Sequence, residues 1–77
     1  MSTHRVVKVE LWAEDAIVLY DWLARADLDK IPTDHKAVKQ ALTDLFGRLD
    51  EIIPYEFDLT AARIADARDQ VSKDMGW

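Results

Sequence analysis

The sequence predicts an α+β fold that is mostly helical, with one N-terminal strand followed by three helices. Apolar and polar residues alternate in "RVVKVELW", residues 5–12, as is typical of a strand with one buried face. Apolar residues recur at helical spacing in the segments that follow. Pro32 and Pro54 separate these segments, because proline and the residue before it disfavour helix. We therefore expect helices at about residues 13–26, 34–52 and 59–74.

The chain has 77 residues, and we expect a single small domain spanning residues 1–77. A domain of this length has a small interior, so natural examples often add disulfides, metals or oligomerisation. The absence of cysteine excludes disulfides, thiolate metal sites and cysteine nucleophiles. Oligomerisation is the remedy that remains, and the sequence favours a homodimer.

A lone strand needs a partner, because buried backbone N–H and C=O groups must be hydrogen-bonded. It could pair with "IIPYEF", residues 52–57, although Pro54 would keep that pairing short. It could pair with its own copy across a two-fold axis, or add to the sheet edge of another protein. All three remain open, and pairing with its own copy is favoured.

The candidate contact residues come from the strand and from the apolar stripes of the first two helices. Aromatic side chains are enriched at the centres of interfaces, so Trp12 at the end of the strand is the leading candidate. The apolar stripe of the second helix is a core stripe or a short two-helix seam. The full set is Val7, Val9, Leu11, Trp12, Trp22, Leu42, Leu45 and Leu49.

Acidic residues surround Pro54 and form a second candidate surface. Each of them suits helix capping or solvent exposure better than acid–base catalysis, which needs a cleft that shifts a pKa. We predict that they form an acidic patch suited to a basic protein surface. Its members are Asp50, Glu51, Glu56 and Asp58.

No catalytic or metal-binding motif can be assigned. The two histidines, His4 and His35, lack the spacing of metal ligands. The segment "DLDKIPTD", residues 27–34, has alternate acids like a calcium loop, but it lacks the central glycine and the final glutamate. We expect no enzyme activity, no metal and no cofactor.

Charge and hydropathy exclude other classes of partner. The formal net charge is −5 and no segment is strongly basic, which disfavours nucleic acid. No apolar run approaches the length that spans a bilayer, and "MSTHRVVKVE" lacks the apolar core of a signal peptide. We expect a cytoplasmic, bacterial protein without membrane association.

A strand followed by two helices, residues 5–52, resembles the ribbon-helix-helix family of bacterial regulators. That resemblance implies a dimer whose ribbon enters the DNA major groove, with Lys8, Glu10 and His4 at the bases. The chain departs from the family in its long inter-helix segment "ADLDKIPTDH" and in its acidic Glu10. A dimeric DNA-binding regulator is therefore the alternative function.

The segments "EDAIVLYDWLARAD" and "LTDLFGRLDEI" resemble a family of small uncharacterised bacterial proteins. The resemblance implies that the first two helices form one packed unit, and it implies no activity. The matching residues are Glu14, Ala16, Leu19, Tyr20, Trp22 and Leu23. The favoured function is a non-catalytic protein-interaction or regulatory module that acts through the strand edge and the acidic surface.

Overall fold

Three long helices and one short helical turn make up the fold in the computed structural model, which describes residues 5–75. Each long helix corresponds to one that the sequence predicts, although the ends differ by up to two residues. The elements in chain order are α1 (Ala13–Arg25), α2 (Lys36–Asp50), α3 (Ile53–Glu56) and α4 (Ala61–Met75).

The prediction of an N-terminal strand is wrong. Residues 5–12 have no regular secondary structure, and residues 5–75 contain no strand at all. The alternating pattern is present, but a strand also requires a second strand to receive its backbone hydrogen bonds. The segment that could have supplied a second strand, residues 52–57, is mostly helical because it contains α3. The fold class is therefore helical, and not α+β.

Capping side chains determine where α2 and α4 begin. The Nδ1 atom of His35 accepts a hydrogen bond from the backbone N–H of Ala37 at 3.0 Å, so His35 is the N-cap of α2. The hydroxyl oxygen of Thr60 accepts from the backbone N–H of Arg63 at 3.0 Å, which starts α4 two residues later than predicted.

The helical turn α3 explains how the chain reverses between α2 and α4. Pro54 lies in its first turn, where the missing backbone N–H would have no intrahelical partner. The turn buries Ile53 against the core and ends at Phe57, whose backbone is extended. Proline therefore ends α2 and also begins α3.

The core is small, and α1 lies at its centre. The buried side chains come from all four helices, and α1 packs more extensively against α4 than against any other element. Ala67 of α4 is completely buried, so the alanine-rich stripe of α4 lies close to α1. Among residues 5–74, the six buried residues are Ala16, Ile17, Leu23, Leu49, Ile53 and Ala67.

Two ion pairs hold α4 against α1. The guanidinium of Arg63 donates to both carboxylate oxygens of Glu14, at 2.7 and 3.1 Å. Further along both helices, the guanidinium of Arg68 on α4 donates to the carboxylate of Asp21 on α1 at 2.7 Å. The hydrogen bonds from Arg63 lower the pKa of Glu14 below its ordinary value, against the opposing effect of burial. These pairs fix which side of α1 is covered by α4.

Within residues 5–75, none of the helices combines the length and the apolar character needed to cross a membrane.

Candidate interaction surface

The side of α1 that faces away from α4 carries exposed apolar residues. Glu14 and Asp21 contact α4, and successive helical residues are turned by about 100°. Leu19 is therefore almost opposite Asp21, and Trp22 lies beside Leu19 on the same side. Both are exposed, and Trp12 at the N-cap has the same orientation as Leu19 because it precedes it by seven residues. α1 thus has an uncovered apolar stripe.

A matching stripe runs along α2. Val38, Leu45 and Ile52 are spaced by seven residues, which places them on one line, and all three are exposed. Leu42 and Leu49, which lie beside this line, pack in or against the core. α2 therefore buries part of its apolar stripe in the core and leaves the rest in contact with solvent.

The two stripes lie on the same side of the molecule. The start of α1 meets the end of α2, so the two helices are antiparallel. Tyr20 of α1 stacks on Phe46 of α2, with the ring centroids 5.4 Å apart. Leu19 and Leu45 each precede a member of this pair by one residue, so both are turned in the same sense, away from α4. We call this surface the apolar face: Trp12, Leu19, Trp22, Val38, Leu45 and Ile52.

The accessible surface of the chain is large for its mass. It is 6421 Å² for 8.9 kDa, whereas a folded monomer of this mass exposes about 4,800 Å². The radius of gyration is 14.2 Å, against about 11.5 Å for a compact chain of this length. Residues 5–11 contribute to this excess, because they have no regular secondary structure and their three valines are at least 70% exposed.

A groove opens at the end where α1 begins and α2 ends. It has a volume of about 250 Å³ and a lining that is apolar except for Glu56. Residues 5–11, which we call the N-terminal arm, form one wall through Val9 and Leu11. Ile52 and Phe57 contribute to the remaining lining, so the apolar face continues into the groove through Ile52.

The predicted acidic patch lies at the same end of the molecule, on the end of α2, on α3 and in the turn before α4. Asp50 accepts a hydrogen bond of 2.6 Å from the hydroxyl of Tyr20, and this bond raises the pKa of Tyr20. Glu51 lies 3.8 Å from Arg48, and Glu56 borders the groove. Asp58 is exposed, as are the other three acids.

The predicted contact residues fall into three places. Val7, Val9 and Leu11 are exposed on the N-terminal arm, and Trp12, Trp22 and Leu45 are exposed on the apolar face. Leu49 is buried in the core and Leu42 is packed against it, so neither is free to contact a partner. Sequence reasoning missed three exposed members of the apolar face: Leu19, Val38 and Ile52.

Polar side chains form no recognisable catalytic or metal centre in the part of the chain that the structure describes. No group of three histidine, cysteine, aspartate or glutamate side chains within residues 5–75 could hold a metal ion. His35 is engaged in capping α2. His4, the other histidine, lies outside the described residues.

The chain matches no protein-family model, and comparisons with curated proteins and with solved structures give no match. The resemblances to the ribbon-helix-helix regulators and to the uncharacterised bacterial family therefore stay predictions. The DNA-binding alternative also stays a prediction, and it requires a ribbon that residues 5–12 do not form in the single chain.

Proposed function

We propose that the chain is a non-catalytic protein-interaction module that works as a homodimer, in which the apolar face of one copy packs against that of another. One observation carries the proposal. Six large apolar side chains lie exposed on one side of the α1–α2 pair, and within residues 5–75 α4 packs on the other side of α1. Exposed apolar patches of this extent are typical of interaction sites.

The excess accessible surface supports a second copy as the occupant. A two-fold dimer that covered both the apolar face and residues 5–11 would remove much of this excess from each chain. The small core gives the same indication, because a chain with six buried residues gains much of its apolar burial from a partner. Self-association through one face also follows the symmetry of most homodimers.

Replacing Trp22 by glutamine is expected to weaken the dimer strongly while leaving the helices intact. Trp22 is 46% exposed in the single chain, so its loss creates no cavity in the core. Central aromatic residues of an interface contribute about 2 kcal/mol or more, so we expect the dissociation constant to rise at least about 30-fold. Sedimentation velocity over a concentration series measures this constant, and circular dichroism verifies the fold.

Tyr55→Gln is the matched control. Tyr55 is 84% exposed on α3 and is not a member of the apolar face. If the apolar face is the interface, Tyr55→Gln leaves the dissociation constant within about twofold of the wild type. If Trp22→Gln and Tyr55→Gln weakened the dimer equally, the apolar face would not be the dimer interface.

A further inference from the structure

The N-terminal arm carries exposed apolar side chains that its own chain does not cover. Val6 and Val7 are each 83% exposed and Val9 is 70% exposed. Valine side chains lose little rotamer freedom on binding, because branching at Cβ already restricts them. Val9 and Leu11 line the groove of their own chain, whereas Val6 and Val7 are not part of its lining and are exposed to solvent.

The arm contains Glu10 as well as Arg5 and Lys8, and its two basic residues complement the acids beside the groove. Residues 5–9 read "RVVKV" and contain two basic residues and no acid, in a chain whose net charge is −5. Glu51, Glu56 and Asp58 are exposed at the groove end of the molecule. No carboxylate within residues 5–75 lies within 4.0 Å of Arg5 or Lys8, so both charges are available to a partner.

We infer that residues 5–8 of each chain dock beside the groove of a second copy, with Val6 and Val7 on its apolar lining and with Arg5 and Lys8 against its acidic patch. This inference rests on the proposed dimer, because Ile52 belongs both to the apolar face and to the groove. The arm reaches the groove of the second copy when the two-fold axis runs along α1 and α2, because that axis brings the two groove ends together and makes the exchange mutual.

Charge reversal tests this arrangement without disturbing the core. Lys8 and Glu56 are both exposed, so Lys8→Glu and Glu56→Lys keep the fold. In either variant the side chains at positions 8 and 56 carry the same charge, so each arm of the dimer meets a repelling charge on its partner. We therefore expect the dimer to weaken about tenfold at low salt. Lys30→Glu is the control, because Lys30 is exposed in the α1–α2 connection at the opposite end of the pair. It is expected to leave the dissociation constant unchanged.

Mixing the two variants distinguishes exchange between chains from docking within one chain. In a dimer of one Lys8→Glu chain with one Glu56→Lys chain, both arms meet the opposite charge. We therefore expect an equimolar mixture to form heterodimers about as tight as the wild-type dimer. Sedimentation velocity on each variant and on the mixture gives these constants, and about 0.5 M salt should reduce the differences by screening.

Three results would overturn the inference or what it rests on. A wild type that stays monomeric at every concentration overturns the proposed dimer itself. A wild-type dimer that neither reversal weakens overturns the docking of the arm and leaves the dimer standing. Restoration in the double variant Lys8→Glu/Glu56→Lys, without restoration in the mixture, shows that each arm docks on its own chain and also overturns the inference.

Discussion

Ile17→Ala is expected to destabilise the chain by about 2–5 kcal/mol, because it leaves a cavity at the centre of the core. Ile17 is 0% exposed, and it is the largest side chain that is completely buried. It lies on α1 between the side that stacks on α2 and the side that pairs with α4. A domain of this length has a total stability of about 4–12 kcal/mol, so the variant loses a large part of it.

Chemical denaturation followed by circular dichroism measures this loss, at one fixed protein concentration because a dimer links stability to concentration. Ile17→Val is the graded control and should cost about 0.5–1.5 kcal/mol. Leu19→Ala, on the uncovered side of the same helix, should cost the folded monomer less than Ile17→Ala does. A loss below about 1 kcal/mol for Ile17→Ala would show that α1 is not the centre of the core.

Ala67→Leu is expected to destabilise the chain by about 1–3 kcal/mol through overpacking. Ala67 is 0% exposed on α4, and α1 and α4 form the most extensive helix pair. The extra atoms of leucine must push the helices apart, which also strains the ion pair between Arg63 and Glu14. For a domain of this size, each kcal/mol lowers the melting temperature by about 4–8 °C.

Ala65→Leu provides the comparison within the same helix. Ala65 is exposed, so the same substitution there meets solvent and should change stability by less than about 0.5 kcal/mol. Thermal melts of both variants at equal concentration separate the two cases. Equal melting temperatures for Ala67→Leu and Ala65→Leu would contradict the close packing of α4 on α1.

The helices could be predicted from the sequence because their apolar spacing and their ends are local properties. The stripe of α2 and the stops at Pro32 and Pro54 need no knowledge of the rest of the chain. The capping roles of His35 and Thr60 cannot be read from the sequence, since several polar residues near each helix start could serve. The sequence does not decide the structure of residues 52–57, because a segment this short cannot show a period.

The strand was predicted wrongly because alternation describes one strand and says nothing of its partner. Val7, Val9 and Leu11 alternate with polar residues, yet the described chain offers no second strand. The same non-local information decides the interaction surface. Leu19 and Leu49 both carry the helical signature of a core residue, and only the way in which the helices pack against one another leaves Leu19 exposed and Leu49 buried.

The solution mass of the wild type tests the central claim most directly. The chain has a mass of 8.9 kDa, and sedimentation equilibrium from low to high micromolar concentration measures the mass of the assembled species. A homodimer through the apolar face predicts a mass that rises to twice that of the chain and then stays constant. A mass of 8.9 kDa at every concentration, with the helices intact, would contradict it.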